Sequence, residues 1–100
     1  METPLITIIT VVLNDEINIE ETILSVLNQK YKNIQYVIID GESKDRTKNI
    51  IEKYRNNIDT FISEKDKGIY DAFNKGLSYA KGDLIGFVNS GDTLTADSLI

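Results

Sequence analysis

Apolar and polar positions fall in blocks along this chain, and the blocks predict strands and helices in turn. Residues 5–13, LITIITVVL, are almost continuously apolar and rich in β-branched side chains, the pattern of a strand covered on both faces. The run stops at Asn14 and Asp15. In the next segment Ile19, Ile23, Val26 and Leu27 recur at helical spacing, and Asn18 followed by Glu21 fits an N-cap with a capping box. The unit repeats. IQYVIID (34–40) reads as a strand, and Thr47, Ile50, Ile51 and Tyr54 share one helical stripe. DTFIS (59–63) makes a short third strand, and Ile69, Ala72, Phe73, Gly76, Leu77 and Ala80 mark a third helix with Gly82 as its stop. Leu84 to Val88 read as a fourth strand with the apolar character of a protein interior.

Strands alternating with helices over short connections predict an α/β domain. Parallel neighbours need a crossover, the crossover is right-handed, and helices then cover both faces of a mostly parallel sheet of about four strands. No linker, low-complexity tract or further repeat interrupts residues 1–100, so the chain is expected to be a single domain.

Composition narrows the chemistry. With 41% hydrophobic and 27% charged residues the chain has the balance of a globular protein. Sixteen acids against 11 bases give a net charge of -5, which offers no electrostatic reason to expect a nucleic acid or an anionic membrane as partner. The absence of cysteine excludes disulfides and thiolate metal sites, and the absence of histidine removes the commonest general base. Carboxylates must therefore carry any acid–base or metal chemistry. No apolar run approaches the ~20 residues of a membrane span, and METPLITIIT lacks the basic start of a signal peptide, so a cytoplasmic location is expected.

In an open parallel sheet the C-terminal ends of the strands share one edge, and ligands bind outside it. Four strand exits meet there: Asn14 and Asp15, then Asp40 and Gly41, then Glu64 to Gly68, then Asn89, Ser90, Gly91 and Asp92. Each has a plainer reading as well. Asn-Ser-Gly-Asp is turn chemistry in which Asp92 could cap a helix through DTLTADSL, Asp40-Gly41 is a turn dipeptide, and Asn14 a strand stop. Asp45 and Arg46 fit an exposed helix start, Asp66 and Lys67 fit solvated loop charges, and Tyr70 and Phe73 fit core positions. Their joint placement on one rim favours a ligand site. The patterns GxGxxG and GxxxxGK[ST] are both absent, which argues against a nicotinamide dehydrogenase and a P-loop enzyme. A carboxylate rim repels a bare phosphate, whereas a Mg²⁺ or Mn²⁺ held there recruits a nucleotide diphosphate.

The ordered segments ITIITVVLND, SVLNQ, IIDGESKDRT and GIYDAFNKGLSYAKGD, followed by NSGD, resemble the N-terminal nucleotide-sugar-binding half of the family 2 inverting glycosyltransferases, over nearly the whole chain. That resemblance implies a Rossmann-like GT-A half-domain and a nucleotide-sugar donor, usually UDP-linked. It implies that Thr10 and Val12 line the base and ribose, with Asn14 part of the same strand-one ending. It also implies that Asp40 hydrogen-bonds the base, that Asp66 approaches the nucleotide, and that Asn89 to Asp92 stand where the family has its DxD motif. Asp92 is then the metal ligand. Two departures stand out: Asn89 and Gly91 replace carboxylates, and DGES replaces DDGS, so that Gly41 stands for an acid and Glu42 for a glycine.

An inverting transferase also needs a carboxylate to deprotonate the acceptor hydroxyl. The resemblance places that base beyond residue 100, so the chain is expected to be the donor-binding half of a longer enzyme, inactive alone. Its acceptor is implied to be a saccharide or lipid-linked, in polysaccharide assembly, with peripheral membrane association of the full-length protein. A sheet ending at its fourth strand also leaves apolar surface for a homo-oligomer. Two other classes compete. A sugar nucleotidyltransferase needs a glycine-rich basic loop where NDEINIE is acidic, and a receiver-like Mg-binding signalling module needs an acidic pair that Asp15 and Glu16 partly imitate.

Overall fold

A computed structural model describes residues 3–95. The elements run β1 (Ile6–Val12), α1 (Ile19–Leu27), β2 (Ile34–Asp40), α2 (Thr47–Glu52), a single 3₁₀ turn (Arg55–Asn57), β3 (Thr60–Ser63), α3 (Ile69–Tyr79) and β4 (Leu84–Phe87). The sheet has the order β3-β2-β1-β4 and every pairing is parallel. The α/β expectation of four strands with helices on both faces holds. No helix among the described residues is long and apolar enough to cross a membrane.

Both faces of β1 and β2 are covered, which is why they read as unbroken apolar runs. Side chains at alternate positions enter opposite cores. Ile8, Val12, Tyr36 and Ile38 meet Ile19, Ile23, Val26 and Ile51 beneath α1 and α2, whereas Ile9, Val11, Val37 and Ile39 meet Ala72 beneath α3. Helix α3 rides so close to the sheet that a Cβ at Gly76 would lie 2.5 Å from the Ile9 Cγ2.

The chain steps from β1 to β2 to β3 in one direction and then crosses to β4 on the far side of β1. The exits of β1 and β4 diverge there, and this switch point is where an open α/β sheet forms its ligand crevice.

Four local expectations are corrected. Asn18 does not build a capping box: its backbone is already helical (φ -111°, ψ -18°), and its side-chain amide donates to Asp15 Oδ1 at 3.0 Å. Gly82 does not stop α3, which ends as Ala80 turns extended. Instead Gly82 permits a close approach, its N–H donating to the Thr7 hydroxyl at 2.8 Å. Strand β4 is an edge, so Leu84, Ile85 and Phe87 are exposed among the described residues, and only Val88 joins the core. On α3, Ala72 and Gly76 are buried but Ile69, Tyr70 and Leu77 are exposed, because Tyr70 and Leu77 lie on the side of the helix away from the sheet and Ile69 stands in its first turn. Phe73 instead packs edge-on against Phe87, with ring centroids 4.9 Å apart. The helix expected through DTLTADSL falls partly outside the described residues.

Candidate functional site

A cleft of about 380 Å³ opens at the carboxyl edge between the exits of β1 and β4, a size suited to a small-molecule ligand. Its floor is Val11 and Val12, its apolar walls are Leu13 and Ile69, and its polar groups are Asn14, Asp15, Asp66, Asn89 and Ser90.

The β1 exit is tied to the segment after β2. Asn14 takes a left-handed conformation (φ 49°), which asparagine tolerates. Its N–H donates to the Ser43 hydroxyl at 2.8 Å, and its Oδ1 accepts from the Lys44 N–H at 2.7 Å. Next along, the Asp15 N–H donates to the Thr47 hydroxyl at 2.9 Å and the Glu16 N–H to Asp45 Oδ2 at 3.2 Å. The Thr47 hydroxyl and backbone N–H both bond the Asp45 carboxylate and hold it below the usual carboxylate range, with the hydroxyl bond the largest cause. The β4 exit closes the frame from the other side, since the Ser90 hydroxyl donates to Asp15 Oδ2 at 2.7 Å.

Asn89 brings an unpartnered acceptor to this cleft. Its Oδ1 is buried with no hydrogen-bond partner among the described residues, on a residue that lines the cleft. A buried acceptor without a donor is costly, and a ligand hydroxyl or N–H would satisfy it. Asp66 enters from the β3 side, where its Oδ2 lies 3.1 Å from the position a Cβ at Gly41 would take. Glycine at 41 makes room for that carboxylate.

Val12, Asn14, Asp66, Asn89 and Ser90 are thus brought together. Thr10 and Asp40 are not. Thr10 is fully buried with its hydroxyl 2.9 Å from the Tyr36 hydroxyl, in the core under α1 and α2. Asp40 has no exposed surface, and its carboxylate accepts from the Ser43 N–H, the Ser43 hydroxyl and the Ser63 hydroxyl, so its oxygens are turned to the protein and away from the cleft lining. Asp92 lies outside the cleft lining, with an exposed carboxylate that makes no hydrogen bond among the described residues. Asp15, on the rim directly after β1 but not among the residues expected to hold the nucleotide or metal, joins the cleft lining and braces Ser90. Its signal was its place directly after the strand-one ending.

A parallel α/β sheet with a polar crevice at its switch point has the architecture of the doubly wound, ligand-binding α/β folds. The sequence profile of glycosyl transferase family 2 matches residues 7–100, and the chain belongs to that family. It is similar to a Haemophilus influenzae protein named an uncharacterized glycosyltransferase, 40% identical over 103 residues covering 99% of this chain and 41% of the relative. It is also similar to Escherichia coli WfgD, named a UDP-Glc:alpha-D-GlcNAc-diphosphoundecaprenol beta-1,3-glucosyltransferase, with 35% identity over 99% of this chain and 40% of the relative. Among solved structures, S. aureus TarS 1-349 in complex with UDP-GlcNAc superposes with a TM-score of 0.87 at 28% identity, over 95% of this chain and 29% of that one. The chain spans less than half the length of each. Family membership sets aside the nucleotidyltransferase and receiver readings.

Proposed function

We propose that this chain is the donor-binding part of a glycosyltransferase that moves a sugar from a nucleotide diphosphate, UDP by preference, to a saccharide or lipid-linked acceptor. The observation that carries the reading is the cleft at the switch point with its buried, unpartnered Asn89 Oδ1. In this reading Val12 and Asn14 flank the nucleoside, Asp66 faces it across the cleft, and Asn89 and Ser90 meet the ribose and diphosphate side. The likenesses to WfgD, named for UDP-Glc, and to TarS, solved with UDP-GlcNAc, support UDP. The name of WfgD also supports a lipid-linked acceptor. Transfer from such a donor fits a cytoplasmic enzyme that associates peripherally with the membrane, with the acceptor's general base outside these residues.

A divalent cation fits the residues present in one way. The described residues contain no group of three or more acidic, imidazole or thiolate side chains placed to hold a metal. Mg²⁺ and Mn²⁺ do not require such a cage, because one or two carboxylates complete a shell made of substrate phosphates and waters. Asp92, whose carboxylate makes no hydrogen bond or ion pair among the described residues, would hold the ion. The ion would offset charge on the departing diphosphate. Asp15 and Asp66 keep the cleft acidic, so an unaccompanied diphosphate is repelled.

The test is calorimetric titration of UDP into the folded chain, with and without Mn²⁺, repeated on Asp92→Ala. The expected result is binding that needs Mn²⁺ and weakens at least roughly tenfold in the variant, equivalent to about 1.4 kcal/mol. Equal affinity with and without metal removes the cation from the site. Absence of binding in a folded chain refutes the donor reading.

A further inference from the structure

Helix α1 presents polar groups where its stripe should be apolar. Thr22 stands beside Ile19, Ile23 and Val26 with no exposed surface, and Gln29, just past the helix end, is equally buried. A threonine inside a helix commonly returns its hydroxyl to a carbonyl of its own preceding turn. Thr22 turns its hydroxyl outward, to the exit of β4: it donates to the Asp92 carbonyl oxygen at 2.8 Å and accepts from the Gly91 N–H at 3.0 Å. Between these two bonds the Asp92 N–H donates to the Asn89 carbonyl at 2.9 Å. Three consecutive peptide units, 90–91, 91–92 and 92–93, are each fixed by a hydrogen bond, two of them to a single side-chain oxygen. Further on, the Gln29 side-chain amide donates to the Thr95 carbonyl at 2.6 Å while holding the Ser25 carbonyl at 3.2 Å.

We propose that Thr22 is a positioning residue for the donor site, its hydroxyl setting the conformation of the Ser90 to Asp92 loop from beneath, with Gln29 holding the segment that follows. The role rests on the donor-binding reading above. A hydroxyl suits the task because it donates and accepts at once within the volume of a methyl group. Gly91 is at φ 97°, a region that leaves the loop free to choose other conformations unless something outside it decides. Thr22 decides it. Ser90 is thereby held against Asp15, Asn89 faces the cleft, and Asp92 keeps its carboxylate free.

Two substitutions separate position from stability. Thr22→Val keeps the shape and removes the hydroxyl, whereas Thr22→Ser keeps the hydroxyl and removes the methyl. Amide hydrogen exchange at Gly91 and Asp92 is read first without ligand, and UDP is then titrated in the presence of Mn²⁺. Thr22→Val is expected to speed Gly91 exchange and weaken UDP binding, each by roughly tenfold, with Thr22→Ser within about threefold of the parent chain in both. Should Thr22→Val fail to fold, Thr22→Ala is read by the same two measurements, and faster exchange at Gly91 with weaker UDP binding is the expected result. Parent-like exchange and binding in the folded variant overturn the proposal. So does a loss in Thr22→Ser equal to that in Thr22→Val, because the effect then follows packing and not the hydroxyl. If the folded parent chain binds no UDP, the donor reading and this role fall together, while the exchange data still decide whether Thr22 fixes the loop.

Discussion

Replacing Asp40 tests whether this acid serves the ligand or the fold. Its Oδ2 accepts from the Ser43 N–H at 2.9 Å and from the Ser63 hydroxyl at 2.8 Å, and its Oδ1 accepts from the Ser43 hydroxyl. In Asp40→Ala the exposed Ser63 can turn to water, and the Ser43 hydroxyl still accepts from the Asn14 N–H at 2.8 Å. The Ser43 N–H is left stranded. One buried unpartnered amide costs about 1–3 kcal/mol, and losing two hydroxyl bonds to a charged acceptor adds about 1 kcal/mol each, so the total is about 3–5 kcal/mol. That is a large share of the roughly 5–15 kcal/mol that stabilises a small domain. Asp40→Asn keeps one oxygen for Ser43 N–H and Ser63 and turns its amide toward the Ser43 oxygen, so its cost is about 1–2 kcal/mol. Urea unfolding followed by circular dichroism measures all three chains, and UDP titration is run where each is folded. A base-contacting Asp40 predicts the reverse pattern, with UDP affinity lost and stability kept. An Asp40→Ala chain within about 1 kcal/mol of the parent would refute the reasoning.

Two further outcomes follow from buried contacts. Burial pushes the Tyr36 phenol well above its ordinary value near 10, so the folded state favours the neutral form. Its contribution to stability is complete below about pH 10 and is lost as pH rises toward the folded value. Tyr36→Phe should flatten that alkaline loss and, by stranding the Thr10 hydroxyl, cost about 1 kcal/mol at neutral pH; superimposable alkaline unfolding curves would count against it. Gly82→Ala would place a Cβ 2.6 Å from the Thr7 nitrogen and 2.9 Å from the Leu5 oxygen, backbone atoms that cannot step aside. The expected cost is about 1–3 kcal/mol, read as a lower urea midpoint; an unchanged midpoint contradicts the close approach.

The helices and strands were legible because each interior strand is apolar on both faces and each helix carries a stripe of the right period. β2 begins and ends where the residues predicted, at Ile34 and Asp40. What could not be read was which polar residues look outward. Thr10 and Asp40 sit at strand positions whose side chains alternate into the core under α1 and α2, and no local pattern reveals that Tyr36 and two serines wait there. Strand β4 misled in the opposite sense: its apolar residues resemble a core, yet an edge position leaves three of them exposed among the described residues. The rim itself was legible, because strand exits share an edge whatever their sequence. Its long-range ties, such as Ser90 to Asp15, were not, because partners 75 residues apart leave no local trace.

The departures from the family's motifs make physical sense together. At residue 42 the backbone is left-handed (φ 70°), the conformation glycine adopts without strain, so Glu42 keeps the geometry of DDGS at some steric cost. At residue 41 a side chain would crowd Asp66, and the glycine there lets the carboxylate settle against the end of β2. The same logic applies at the exit of β4. Asn89 Oδ1 is buried without a partner among the described residues; an amide tolerates that far better than a carboxylate, which would be a buried, unpaired charge. A Cβ at Gly91 would already lie 3.8 Å from Asp15 Oδ2, so an acid at 91 would bring a second negative charge against Asp15. Asn-Ser-Gly-Asp therefore avoids the repulsion that Asp-x-Asp-Asp would meet on this frame, leaving Asp15 to brace Ser90 and Asp92 as the one acid of the motif, its carboxylate open to solvent.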